Sequence, residues 1–265
     1  MPKTSPRASA SEADRGRRRS GAAALPPPIL AELEIGVDEA GRGPILGPMV
    51  LACVALDGAA QESLRALGVT DSKRFGAGPK AHAARAALVQ KVHAHARHVA
   101  VAVIEVDEID VRTRRGELNK LEQEVALRLL GDAPAATRIV ADGARIFAPL
   151  RHHYPHLQAE NKAELSSVAV AAASLCAKVR RDELWESICA RYRDEFGAHL
   201  QGFAGGGYLN DATRRFLRAY CARYRRIPPE GRTSWPWDFV AELLPAESLP
   251  APVGAPLELV LPGLQ

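Results

Sequence analysis

The chain has 265 residues, 47% hydrophobic and 25% charged, enough for one large domain or two small ones with a sizeable core. No run reaches 18 uninterrupted apolar residues, which argues against a membrane-spanning helix. The formal charge of +4 resides in the first 28 residues, where Lys3, Arg7, Arg15, Arg17, Arg18 and Arg19 face only Glu12 and Asp14, so the remaining body is formally neutral and its net charge says little about a nucleic-acid partner.

Residues 1–30 are rich in Ser, Ala, Arg and Pro, cannot supply a core, and are expected to form a disordered basic tail. Such a tail is ordinarily just solvated; its alternative use is as an electrostatic arm for nucleic acid. No secretory apolar segment follows the arginines. Cys53, Cys176, Cys189 and Cys221 are far apart and form no C-x-x-C pair, which argues against a zinc framework and for reduced thiols in a cytoplasmic protein.

Order is expected from about Leu33. Residues 33–41, LEIGVDEAG, read as a strand running into a turn at two acids, and 48–57 as a second apolar strand. Residues 60–67 and 79–97 carry Leu and Val at helical spacing. The alternation over 98–106 predicts a strand, and 116–131 an amphipathic helix ended by Gly131. Residues 137–143, TRIVADG, read as a strand ending in an Asp-Gly turn. A long helix is expected from 163 to about 196, its small residues suited to close packing on a sheet, and further helix over 208–224. Residues 243–265 have neither period and are expected to be a loose, Pro-rich tail. The pattern predicts an α/β core, residues 31–242, with a central mixed sheet flanked by helices and a C-terminal helical extension.

Asp38 and Glu39 close the first strand. An acid pair there is costly unless compensated, and a divalent cation is one usual compensation; a lone Asp-Glu pair is otherwise read as a cap or solvated turn. Here Gly41-Arg42-Gly43 follows at once, a backbone able to approach a ligand with an arginine suited to phosphate or sugar. Asp142 ends another strand, and Glu164 stands where the long helix is expected to begin, a place that favours a carboxylate even without metal. Four carboxylates at the ends of core elements suit two Mg²⁺ or Mn²⁺ ions, which take hard oxygen ligands and need no nucleophilic side chain.

Six blocks in order carry a resemblance to the type 2 ribonuclease H family: GVDEAGRGPILGPMV from Gly36, TDSKR (70–74), VADG (140–143), AAASLCAKVRRD (171–182), GGGYLND (205–211) and TSWPW (233–237). The resemblance runs from about 33 to 240, and its last two blocks look like archaeal and eukaryotic members. It implies a ribonuclease H-like fold and a metal-dependent endonuclease. The enzyme would hydrolyse the RNA strand of RNA–DNA hybrids and cut duplex DNA 5′ of embedded ribonucleotides, leaving a 3′-hydroxyl and a 5′-phosphate. It implies Asp38, Glu39 and Asp142 as three of four metal ligands. The fourth place, 18 residues before Asp182, holds Glu164 where the family carries Asp; the extra methylene moves a carboxylate by roughly an ångström. Asp182 itself is implied to be structural or on the substrate side. Gly41, Arg42 and Gly43 would contact the ribose 2′-hydroxyl and its phosphate, which tells RNA from DNA. Tyr208 would stack on the following deoxyribose, and Lys73, Ser174 and Lys178 would bind substrate. Asn119 also falls in a matching region.

Two other classes stay open on these residues. The sister type 3 ribonucleases H share the chemistry but carry a folded N-terminal domain. A relative that binds hybrids without cutting them would fit the departure at Glu164. A monomer is expected. His93, His95, His98, His152, His153 and His156 are read as solvated, and Trp185, Trp235 and Trp237 as packing residues of the extension. The C-terminal PLELVLPGLQ lacks the aromatic pair of a sliding-clamp motif.

Overall fold

The computed structural model describes residues 32–69, 75–197, 205–235 and 243. The expectations for the basic tail, for Lys73 and its block, for Trp237 and for residues 244–265 concern positions outside these.

In chain order the described elements are β1 (Leu33–Ala40), β2 (Met49–Asp57), α1 (Gly58–Ala66), α2 (Pro79–His95), β3 (His98–Ile104), α3 (Val106–Arg114), α4 (Leu118–Gly131), β4 (Arg138–Asp142), α5 (Ala144–Phe147), β5 (Leu157–Glu160), α6 (Val168–Arg191), α7 (Arg193–Phe196) and α8 (Asp211–Tyr224). The strands form one mixed sheet in the order β3-β2-β1-β4-β5. β1 is antiparallel to β2 and parallel to β4, and β4 is parallel to β5.

All nine residues of β2 are buried, and their alternation divides them between two layers. Leu51, Cys53 and Ala55 pack with α4, whereas Val50, Ala52, Val54 and Leu56 pack with α1, α2 and α6. Each Val or Leu so buried contributes about 1.5–3 kcal/mol. β1 follows the same rule, with Ile35 and Val37 in the α4 layer. Gly36 faces α6, and the two backbones touch. A Cβ at Gly36 would lie 2.1 Å from the carbonyl carbon of Ala169 and 2.2 Å from the amide nitrogen of Val170. The small residues of α6 that meet the sheet, among them Ala169, Ala172 and Ala173, permit this approach.

The C-terminal extension has its own core. Tyr192, Phe196, Phe216 and Tyr220 interlock with ring centroids 5.2–6.3 Å apart. Ile45, Leu46 and Trp185 join that core, so it also anchors the loop after β1. Trp185 is buried and Trp235 packs partly against two cores, as expected of packing residues.

Two expectations are corrected, and two elements, α3 and β5, were not expected. The helix expected from 163 is a 3₁₀ turn at Ala163–Leu165, then α6, then α7; Ser167 caps α6 by accepting from the amide of Val170 at 3.1 Å. Glu164 therefore sits in the turn and not on the first turn of the helix. α3 has too few apolar residues to stand out, with Ile109 its one buried hydrophobic residue. β5 is an edge strand of four residues with only Leu157 and Ala159 buried. His98 is half-buried, with Nε2 shut off from solvent, so it departs from the solvated reading of the histidines.

The contact at Gly36 makes a direct prediction. Gly36→Ala should lower the free energy of unfolding by about 3 kcal/mol or more in urea melts, because backbone must move on both sides. A loss below about 0.5 kcal/mol would show that strand and helix part freely.

Candidate active site

Pleat parity builds the site. Asp38 follows Gly36 by two residues and so faces α6, while Glu39 turns to the α4 side. On β4, Val140 packs against Ala163 and Val170, so Asp142 also faces α6. The last pair between the two parallel strands is Val37↔Ala141, which leaves Asp38 and Asp142 side by side just beyond it. Lys162 adopts a left-handed conformation, φ 61°, and this turns two successive amides towards Asp142: Lys162 N–H donates at 2.7 Å and Ala163 N–H at 3.4 Å. The same turn brings Glu164 into hydrogen-bond contact with Asp142. The predicted convergence of Asp38, Glu39, Asp142 and Glu164 is present: all four line one cleft of about 470 Å³.

Burial, the repulsion of Glu39 and that of Asp142 push the Asp38 carboxyl well above its usual range, against hydrogen bonds from the Ser174 hydroxyl and the Glu39 amide. Glu39 is raised by burial and by Asp142, and Arg42 opposes this only in part. Asp142 is raised by burial and by Glu164, against the two amides.

Three of the cations lining the cleft, Arg42, Lys178 and Arg85, already have carboxylate partners, and the fourth, Arg181, donates to the Leu46 carbonyl at 2.7 Å. Arg42 donates from Nε to Glu122 at 2.8 Å and from Nη2 to Asn119 at 2.6 Å. Lys178 pairs with Asp182, which also accepts from Arg85 at 2.9 Å. The four acids thus form a concentration of negative charge that the chain offsets only in part. Among the described residues, no group of three or more His, Cys, Asp or Glu side chains is already drawn together in the geometry that holds a metal ion. An open set of hard oxygens is still what Mg²⁺ or Mn²⁺ accepts, since such ions keep water and substrate oxygens among their ligands. The donor set fits a divalent cation held by Asp38, Glu39, Asp142 and Glu164.

The loop Gly41–Gly43 lines the same cleft. Gly41 has φ +85°, and a Cβ there would meet Arg181 Nε at 2.6 Å. Tyr208 is 54% exposed and stands beside Gly43, whose added Cβ would come within 3.3 Å of its ring. Lys178 lines the same cleft. Ser174, expected to bind substrate, lines the cleft and hydrogen-bonds Asp38.

Sequence reasoning passed over Glu122, Arg85, Arg181 and Arg232. Glu122 is fully buried, and burial pushes it up to about 7 against the pull of Arg42. Its spacing of three from Asn119 places both on one helix face, a signal that was available. Arg85 lies on a helix of weak amphipathic pattern, and nothing in its spacing marks it as buried.

A sequence model described as Ribonuclease HII matches residues 35–236. Ribonuclease HII of Thermococcus sibiricus is 35% identical over 210 residues, covering 76% of this chain and 87% of the relative. That of Pyrobaculum arsenaticum is 38% identical over 213 residues, covering 78% and 96%. Among solved structures, ribonuclease H2 from Pyrococcus horikoshii OT3 superposes with a TM-score of 0.64 at 30% identity, covering 77% of this chain and 93% of the other.

The raised carboxyls fix the sign of a pH effect. The folded chain binds these protons more tightly than the unfolded one, so metal-free stability falls as pH rises from the ordinary carboxylate range through the raised values. Asp38→Asn should therefore raise the metal-free melting temperature at pH 7, by about 2–4 °C if it relieves ~1 kcal/mol. The gain should vanish in acid, where wild-type Asp38 is already neutral. An unchanged or lower melting temperature at pH 7 would contradict the repulsion.

Proposed function

The chain belongs to the ribonuclease HII family, metal-dependent enzymes that cut the RNA of RNA–DNA hybrids, and from that premise we propose that it also incises duplex DNA on the 5′ side of a single embedded ribonucleotide. The products are a 3′-hydroxyl and a 5′-phosphate. One observation carries the reading: a single cleft is lined by the four carboxylates and by the Gly41–Gly43 loop with Tyr208 beside it.

Asp38, Glu39, Asp142 and Glu164 would hold two Mg²⁺ or Mn²⁺ ions. When bound, such ions make a water nucleophilic at neutral pH and offset charge on the leaving oxygen. The chain's own groups do the rest. Ser174 and the Glu39 amide fix the Asp38 carboxylate, and the amides of Lys162 and Ala163 fix Asp142. With the Arg42 guanidinium occupied by Glu122 and Asn119, peptide groups of residues 41–43 are left to meet the ribose 2′-hydroxyl. Tyr208 offers an exposed ring to the sugar that follows, and Lys178, with Lys73, a cation to the phosphates. Glu164 extends from a short turn, and its longer side chain serves in place of aspartate.

The functional unit is residues 31–242, acting as a cytoplasmic monomer, with the basic tail adding non-specific affinity. Among the described residues, no helix is long and apolar enough to cross a membrane.

The test is cleavage of a labelled DNA duplex holding one ribonucleotide, in Mg²⁺ and in Mn²⁺. A single cut 5′ of the ribonucleotide is expected, retained by Glu164→Asp and abolished by Asp142→Asn. Tyr208→Ala should slow this cut roughly tenfold more than it slows cutting of a long hybrid, equivalent to about 1.4 kcal/mol of lost contact. Cutting of long hybrids alone would refute the junction reading, and equal losses in Tyr208→Ala would remove that residue from it.

A further inference from the structure

Arg232 has no exposed surface. It lies far along the chain from the loop after β1, yet its guanidinium reaches three of that loop's carbonyls. Nη2 donates to Gly41 O at 2.6 Å, Nη1 to Arg42 O at 2.9 Å and Nε to Gly47 O at 2.9 Å. Among the described residues it forms no ion pair with a carboxylate. Burial and the neighbouring Arg181 push it down to about 9, still above neutral pH, so it stays a cation. Burying an unpaired guanidinium costs free energy unless its donors are satisfied. Here the loop's carbonyls satisfy them.

The segment carrying Arg232 is held in turn. Gly47 N–H donates to Glu230 O at 2.8 Å, Arg232 N–H to Ile45 O at 2.9 Å, and Leu46 bridges antiparallel to Gly231. Beyond it, Asp110 of α3 takes four hydrogen bonds: Thr233 N and Oγ1 on one oxygen, Ser234 N and Oγ on the other. The guanidinium also lies 5.0 Å from the ring centre of Trp235.

Peptide geometry gives this arrangement a consequence. In a trans peptide C=O and N–H point opposite ways. A Gly41 carbonyl drawn towards Arg232 turns the Arg42 N–H away from it, and an Arg42 carbonyl so drawn turns the Gly43 N–H away. Neither amide donates to a backbone or side-chain acceptor among the described residues. Residues 41–43 line the cleft.

We propose that Arg232 is a positioning residue for ribose recognition: its three-pronged grip, latched by Asp110 through Thr233 and Ser234, holds the peptides of residues 41–43 with their N–H groups presented to the 2′-hydroxyl. The inference rests on the reading of this loop under Proposed function. Lysine cannot substitute, because a point donor reaches one carbonyl where the planar fork reaches three.

The experiment measures affinity in Ca²⁺ for a DNA duplex with one ribonucleotide and for the same duplex entirely of DNA, in wild type, Arg232→Lys and Asp110→Asn, with melting temperatures alongside. Arg232→Lys should lower the ribo-to-deoxy affinity ratio by about tenfold or more, the scale of ångström misplacement at a site, with all-DNA affinity little changed. Asp110→Asn, which keeps its shape but loses acceptors, should move the ratio the same way by less. A purely structural role would lower melting temperature or both affinities together and leave the ratio alone. Folded variants that keep the ratio of a discriminating wild type would overturn the inference alone; if Arg232→Lys does not fold, Asp110→Asn decides. A wild type that does not discriminate would overturn the reading of the loop, and this inference with it.

Discussion

The closest constraint in the molecule is the meeting of strand β1 and helix α6 at Gly36, where no side chain separates the two backbones. It fixes where the helix lies along the strand. Asp38 stands one pleat further on, and Ser174, Lys178 and Asp182, spaced four apart on one helix face, all line the same cleft. The hydrogen bond from Ser174 to Asp38 is a product of that register. Fold stability and site geometry thus depend on one contact, and anything that lifts α6 from the sheet also separates Asp38 from the lysine side of the cleft.

Charge is distributed unevenly on this frame. Arg42 answers Glu122, and Lys178 and Arg85 answer Asp182. The three acids at the ends of β1 and β4, with Glu164 in the turn beside them, are left with amides, a hydroxyl and one partial counter-charge. The arrangement costs stability in the absence of cations and stores affinity for them. The opposite device appears beneath the loop, where Arg232 is a buried cation satisfied by carbonyls and Arg181 reaches the Leu46 carbonyl through Nη2. Negative charge is left for a ligand at the carboxylates, and positive charge is spent on backbone geometry at the loop.

Much of this was legible in the residues. Asp38 and Asp142 close apolar runs, so their place at adjacent strand ends followed from pattern, and six ordered blocks pointed to the family. The layers followed from the alternation in β2. Glu164 was singled out but misplaced, because the extended Ser167 that starts α6 afresh after the turn has no glycine or proline to announce it. β5 and α3 are held by neighbours and not by their own apolar content. The hydrogen bond of Ser174 to Asp38 depends on the register of α6 on β1, which no local pattern carries. Glu122, Arg85 and Arg232 look like surface charges in sequence; their burial is decided by partners 80 or more residues away.

The central claim is that the four carboxylates form a divalent-cation site whose protons the ion displaces. Calorimetric titration of Mn²⁺ into the chain at neutral pH, in two buffers of different ionisation enthalpy, tests it most directly. The account predicts saturable binding with proton release, with both lost in Asp142→Asn. Binding that is absent, or equal in the two proteins, would contradict it.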